Sequence, residues 1–342
     1  MFQYNNFKQL HLELTDKCQA SCPMCSRNIN GGKPRSFVGN NEITLDIFKK
    51  WFTPNFLSNL RHLYACGNYG DPIIARDCLE IFEYVRTVNN EIRLGIHTNG
   101  SARTIKWWKN LAKALGKNHL VSFGIDGFAD SHILYRKGTN WNKIIENARS
   151  FIEAGGNAEV DCLVFKHNEH EIRDFENFIL DLGFKKVNFK FTKRFYDMES
   201  YPVENLNGDV EYYLEPASKT KVVNFVSLDQ INKDISVWKN IAKTSTIEPQ
   251  CLEKKELYVD ARGNVFPCCW VGTYFVEDFI EEKITLQKLR NEIIINTQDL
   301  FSKFNIYNLN INNIESINWP NFENFIYKNK PWICVKNCNG KK

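Results

Sequence analysis

The chain has 342 residues, 43% hydrophobic and 25% charged, with a formal net charge of +4. This is the make-up of a folded globular protein with room for one large domain or two, and it excludes a disordered or collagen-like chain; so small a charge, with no basic block, gives no strong sign of a nucleic-acid partner. Met1-Phe-Gln-Tyr-Asn-Asn-Phe-Lys8 has no apolar signal core and no run reaches about eighteen uncharged apolar residues, so no membrane helix is expected and the cytoplasm is the expected location. In that reducing compartment the 11 cysteines are better explained by metal ligation than by disulfides.

From residue 8 to about 192, short β-like runs alternate with amphipathic helical runs, the pattern of a parallel α/β sheet. The spacing predicts strands near 9–15, 61–66, 92–97, 119–125, 158–165 and 186–192, and helices near 44–58, 77–89, 103–116, 141–154 and 169–182. Within the strands one face is apolar and the other polar: Leu10, Leu12 and Leu14 oppose His11, Glu13 and Thr15, and Val121, Phe123 and Ile125 oppose Ser122, Gly124 and Asp126. Parallel strands covered by helices on both faces should be apolar on both. A sheet curled around a polar lumen removes the conflict, so the expected fold is α/β, an open (β/α)6 partial TIM barrel with its active site at the C-terminal strand ends.

Residues 1–192 are thus expected to form the barrel, 193–250 a connecting segment that is loop-like from Tyr196 to Tyr213, and 251–342 a second domain. In the last of these, Leu257-Tyr-Val-Asp-Ala-Arg-Gly-Asn-Val-Phe-Pro267 reads as a hairpin turning at Arg262-Gly263-Asn264, and 276–330 reads as largely helical.

The organising motif is Cys18-Gln-Ala-Ser-Cys22-Pro-Met-Cys25, on a loop just after the first strand. Three thiolates at this spacing can converge on one metal centre and leave a coordination position open. Structural zinc, or thiols with no metal role, are the alternatives. The motif resembles the C-x3-C-x2-C loop of the radical S-adenosylmethionine (SAM) superfamily. The resemblance implies that Cys18, Cys22 and Cys25 hold a [4Fe-4S] cluster whose fourth iron is chelated by SAM.

Further motifs extend the resemblance. Tyr69-Gly70-Asp71-Pro72 looks like the family's Gly-Gly-Glu-Pro motif, departing at Tyr69 and Asp71, and implies SAM amino-group contacts at Gly70 and Asp71. Asn99 after the third strand, and Ser122 and Asp126 after the fourth, stand where the family contacts the SAM ribose and methionyl part. Gly124 occupies the usual Ser position. Arg136 is the implied partner of the SAM carboxylate, and Met24 lies where an apolar residue flanks the adenine. Of the residues expected to face the lumen (Glu13, Tyr64, His97, Asp161, Asn188 and Lys190), Glu13 and Lys190, with Asp126, are the candidate catalytic side chains.

Toward the C-terminus, Cys251-x11-Gly263-x4-Cys268 resembles the opening of SPASM and Twitch domains, which hold auxiliary Fe-S clusters. With Cys334 and Cys338 it implies a small Twitch/SPASM-like domain with one auxiliary [4Fe-4S] cluster; Cys268 is favoured over Cys269 by the glycine spacing. Zinc is the alternative there. Cys78 and Cys162 read as packing residues. The resemblance implies an enzyme that abstracts hydrogen from a peptide or protein, or from a small molecule such as a sugar or nucleotide, and that draws on an external electron donor of flavodoxin or ferredoxin type. Since the chain starts at the first barrel strand, no N-terminal peptide-recognition domain is expected. A non-catalytic zinc or Fe-S module is the reading from a different class.

Overall fold

The structure, a computed structural model, describes residues 4–192, 194–195, 198–218, 244–274, 334 and 338. They divide into two compact units that do not follow chain order. Residues 13–45 and 63–218 form the larger; residues 4–12, 46–62 and those from 244 onward form the smaller.

In the larger unit the strands β2 (His62–Ala65), β3 (Arg93–Thr98), β4 (His119–Gly124), β5 (Ala158–Val164) and β6 (Val187–Phe191) lie side by side in that order. From β3 to β6 they pair in parallel. The connecting helices are α3 (Cys78–Val88), α4 (Ile105–Leu115), α5 (Ala129–Tyr135), α6 (Trp141–Glu153) and α7 (Ile172–Asp181). Strands and long helices fall where the apolar periodicity places them; α5 is additional. It lies in Ala129-Asp-Ser-His-Ile-Leu-Tyr135, too short a run for a helical period to stand out.

Alternation decides which face is core. Leu94, Ile96, Val121, Phe123, Val160 and Cys162 are buried on one side. Trp108 of α4 and Phe151 of α6 close on Phe123, with ring centroids 5.2 and 6.2 Å from it. Cys78 and Cys162 are buried apolar residues, as expected. The opposite face is polar and rises in rows set by the register: His97 beside Ser122 and Glu159, then Gly124 beside Asp161 and Asn188, then Leu163 beside Lys190.

Two expectations need correction. The helix expected over 44–58 is two helices, α1 (Leu45–Trp51) and α2 (Pro54–Asn59). Pro54 cannot continue a helix but suits a first turn, and Thr53 caps it by accepting from Phe56 N at 3.2 Å. The stretch taken as loop-like from Tyr196 to Tyr213 instead carries an antiparallel hairpin, β7 (Tyr201–Glu204) with β8 (Val210–Leu214). Its turn is built by Asn205, whose Oδ1 accepts from Asn207 N and Asp209 N at 2.8 and 3.1 Å, and by Gly208 at φ 95°. The Asn-Gly pair between Val/Tyr-rich runs was the available signal. The largely helical run expected at 276–330 lies outside the described residues.

In the smaller unit β1 (Gln9–Leu12) pairs in parallel with β9 (Glu256–Val259), which pairs antiparallel with β10 (Val265–Phe266). The β9–β10 turn is the expected one: Gly263 has φ 83°, and the Asp260 carboxylate accepts from the amides of Arg262 and Asn264 at 2.9 and 2.8 Å. Two short helices flank this hairpin, α8 (Gln250–Glu253) and α9 (Cys269–Tyr274).

Candidate functional site

The Cys18–Cys25 loop is pinned before its cysteines and again between them. Buried Asp16 accepts from Gly39 N, Asn41 N and Asn41 Nδ2 at 3.2, 3.0 and 2.6 Å, and Ser21 N donates to Lys137 O at 2.8 Å. Cys18 Sγ accepts from Ala20 N at 3.4 Å and from Asn99 Nδ2 at 3.6 Å. Asn99 is itself held by Gln19 Nε2, which donates to its Oδ1 at 2.6 Å. Burial pushes the Cys18 thiol up, helped by the Asp71 carboxylate and the Cys22 and Cys25 thiols. Cys22 is pushed up to about 12, chiefly by burial, with Arg136 acting against it. Cys18 and Cys22 therefore lie in a poorly solvated neighbourhood beside Cys25, where a thiolate needs positive charge next to it.

Met24 packs with Ala20, Cys22, Tyr135 and Phe165 and with Val203 and Leu214 of the hairpin. Arg194 Nη1 donates to Met24 O at 2.6 Å, and Tyr201 Oη to Asn30 Oδ1 at 2.8 Å. The segment expected merely to connect thus helps to fix one side of the cysteine loop.

The Gly67–Pro72 turn is shaped by carboxylates. Glu13 has no exposed surface; its Oε1 accepts from Tyr69 N and Gly70 N at 2.7 and 3.2 Å. Gly70 lies so close to the chain before the cysteine loop that a Cβ there would stand 1.8 Å from Thr15 O. Asp71 accepts from Asn99 N, Thr98 Oγ1 and Ile73 N at 2.7, 2.8 and 3.2 Å, tying this turn to the end of β3. Burial raises its carboxyl above the ordinary range, and these donors oppose the shift.

Asp126 also has no exposed surface. It accepts from Arg136 Nε at 2.6 Å and from Leu163 N at 2.7 Å. Burial works against the Arg136 charge, but the Asp126 carboxylate and the Cys22 thiol outweigh it and raise its pKa. Gly124 provides the space: a Cβ there would be 2.7 Å from Arg136 Nη2. His132 Nδ1 accepts from Asp126 N at 3.1 Å, which makes its Nε2 the donor to Thr139 Oγ1 at 3.0 Å. The Thr139 hydroxyl passes the chain on to Arg136 O at 2.7 Å.

Ser122, expected near SAM, donates to Glu159 Oε1 at 2.7 Å, two strand positions before Gly124. Lys190 Nζ pairs with Asp161 Oδ2 at 2.7 Å, Asn188 Nδ2 donates to Asp161 Oδ1 at 3.1 Å, and His97 Nδ1 lies 3.7 Å from Oδ2. Burial alone would raise Asp161, but His97 and Lys190 hold its carboxyl well below the usual range. Lys190 and His97 keep 51% and 44% of their side chains exposed, so among the candidate catalytic residues Lys190 is accessible whereas Glu13 and Asp126 are enclosed. Cys66 stands within electrostatic reach of Glu13, Asp71, Asp161 and Lys190, and burial pushes its thiol up to about 12.

In the smaller unit, burial first and then the thiols of Cys268, Cys334 and Cys338 raise Cys251; Cys334 is raised in the same way by burial and by Cys268 and Cys338. Cys268, just before α9, accepts from the amides of Val271 and Trp270, which lower its thiol against the burial that pushes it up to about 12. Four sequence-distant thiols thus occupy one neighbourhood. Among the described residues no three His, Cys, Asp or Glu side chains come together closely enough to hold a single metal ion.

Residues 12–179 match the model of the Radical SAM superfamily. These residues form a radical SAM domain. Such a domain implies an enzyme, a [4Fe-4S] cluster and SAM, and this radical SAM chain has the α/β partial-barrel fold of solved relatives. One is anSMEcpe with bound AdoMet, 16% identical, with a TM-score of 0.52 over 79% of this chain and 73% of that one. Another is anSMEcpe with bound AdoMet and Cp18Cys peptide, 18% identical, TM-score 0.51, covering 79% and 75%. A third is Streptococcus suis SuiB bound to its precursor peptide SuiA, 12% identical, TM-score 0.50, covering 77% of this chain; this chain spans only 60% of that one. No helix among the described residues is long and apolar enough to cross a membrane.

The sequence does not single out Gln19, His132, Tyr135 or Arg194. Gln19 and Arg194 act through partners far along the chain, Asn99 and Met24, and His132 through Asp126 and Thr139, six and seven residues away.

Proposed function

We propose that this chain is a radical SAM enzyme that abstracts hydrogen from a peptide or protein substrate, with Cys18, Cys22 and Cys25 holding the SAM-binding cluster. The observation that carries the reading is that these three thiols sit on one braced loop, Cys22 buried and Cys18 and Cys25 partly exposed, with Asn99 Nδ2 donating to Cys18 Sγ at 3.6 Å. A cubane asks for this arrangement because each cysteine takes a different iron. When bound, the reduced cluster and SAM together supply a 5′-deoxyadenosyl radical.

The chain's own residues orient and enclose. Glu13 and Asp71 shape the Gly67–Pro72 turn, Asn99 braces Cys18, and Met24 closes the apolar side of the loop. In this reading Glu13 and Asp126 are positioning residues, while exposed Lys190 and His97 face the substrate. Cys251, Cys268, Cys334 and Cys338 supply four ligands to an auxiliary cluster; full ligation leaves no iron for substrate and favours electron transfer, giving net oxidation. The external electron donor is of flavodoxin or ferredoxin type. Peptide in the structures of similarly folded anSMEcpe and SuiB supports a peptide over a sugar or nucleotide.

Reductant-dependent cleavage of SAM to 5′-deoxyadenosine by anaerobically reconstituted protein tests the reading. Cys22→Ala should abolish it, and unchanged cleavage would refute the assignment. Roughly eight irons per chain fit two cubanes, whereas zinc without a chromophore would favour the non-catalytic module.

A further inference from the structure

Arg136 stands where the family resemblance implies a partner for the SAM carboxylate, yet its guanidinium is engaged elsewhere. Its Nε sits 2.6 Å from Oδ2 of fully buried Asp126, and the segment that carries it lies against the cysteine loop, where Ser21 N donates to Lys137 O at 2.8 Å and Tyr135 packs with the buried Cys22. Three features hold this arrangement. Leu163 N fixes the Asp126 carboxylate from β5 at 2.7 Å, and the His132–Thr139 relay fixes the backbone on both sides of the pair, at Asp126 N and Arg136 O. Gly124 leaves the room that a serine Cβ would fill. A mostly buried guanidinium held in this way is a fixed positive charge near a cluster ligand, partly offset by the carboxylate behind it.

We propose that the Asp126–Arg136 pair is a positioning and charge-setting device for Cys22, which sets the reduction potential of the SAM-binding cluster, and that Gly124 is what admits it. This rests on the assignment of Cys22 as a cluster ligand. Reduction adds negative charge, so a nearby cation favours the reduced form. Removing the cation in Arg136→Gln should lower the midpoint potential. Removing its counter-charge in Asp126→Asn should raise it. Each shift should reach about tenfold in the reduction equilibrium, which is about 59 mV for one electron. Gly124→Ser, which crowds the guanidinium but removes no charge, should shift the potential downward by less than Arg136→Gln does.

The test is a redox titration of the reconstituted full chain, followed by electron paramagnetic resonance on the signal that SAM perturbs, with iron content as the check on cluster loading. Opposite shifts in the two charge variants support the device, because a merely structural role would not reverse sign. Shifts of the same sign, or none, overturn it. If the charge variants fail to load iron, Gly124→Ser decides: a potential equal to the parent's overturns the inference. A parent that shows no SAM-responsive signal instead sinks the function proposed above, so the two failures are distinguishable.

Discussion

His132 offers a quantitative test of the framework behind the cysteine loop. Its ring is fully enclosed, and burial lowers it from the usual 6.5 to about 4, against the pull of Asp126. Folding therefore requires the neutral imidazole, with Nδ1 accepting from Asp126 N. At pH 7 the folded state holds almost no proton here and the unfolded chain about a quarter of one. As the pH falls below 6.5 the unfolded chain takes it up first, so the contribution to stability is complete above that value and is lost progressively toward pH 4. The full loss is about 3 kcal/mol, of which about 2 kcal/mol is gone by pH 5. Guanidinium unfolding of parent and His132→Asn at pH 7 and pH 5 reads this directly. The variant should be less stable at pH 7 but should lose about 2 kcal/mol less than the parent on acidification. His119 and His167, whose pKa values burial also lowers, are common to both proteins and cancel. Equal losses in the two proteins would refute the buried, neutral assignment.

Two further outcomes are expected. Gly70→Ala sets a methyl group against the Thr15 carbonyl, and since backbone cannot step aside cheaply it should cost about 2 kcal/mol or more in a thermal melt; an unchanged Tm would contradict the close approach. Cys334→Ala should remove about half of the iron while SAM still binds, and a full iron complement would remove Cys334 from the auxiliary ligand set.

Much of the fold was legible because the periodicities are strong. The strands at 93–98, 119–124 and 158–164 follow alternation of apolar and polar residues, and the long helices follow apolar stripes. Legibility failed where local rules compete. Pro54 interrupts an otherwise helical stripe, and the 201–214 hairpin sits in a polar, aromatic-rich run whose one clear signal was Asn207-Gly208. Local spacing brought the three cysteines of the loop to notice, since ligands within one short loop can be recognised without the fold. It did not indicate how Asp126, Arg136, Glu13 and Lys190 would be used, because polar residues on one strand face read alike until their partners are known.

By itself the sequence determined a parallel α/β scaffold with one polar face, a three-thiol loop after the first strand and a second, remote set of cysteines. Those features are local or periodic, and short-range sterics and burial suffice to specify them. Only the tertiary structure decided that Glu13 and Asp126 are enclosed while Lys190 and His97 stay open, that Gly124 makes room for Arg136, and that His132 stands neutral behind the pair. These outcomes depend on which donor reaches which carboxylate across separate strands and loops, and on how much water burial removes. No spacing along the chain encodes either one.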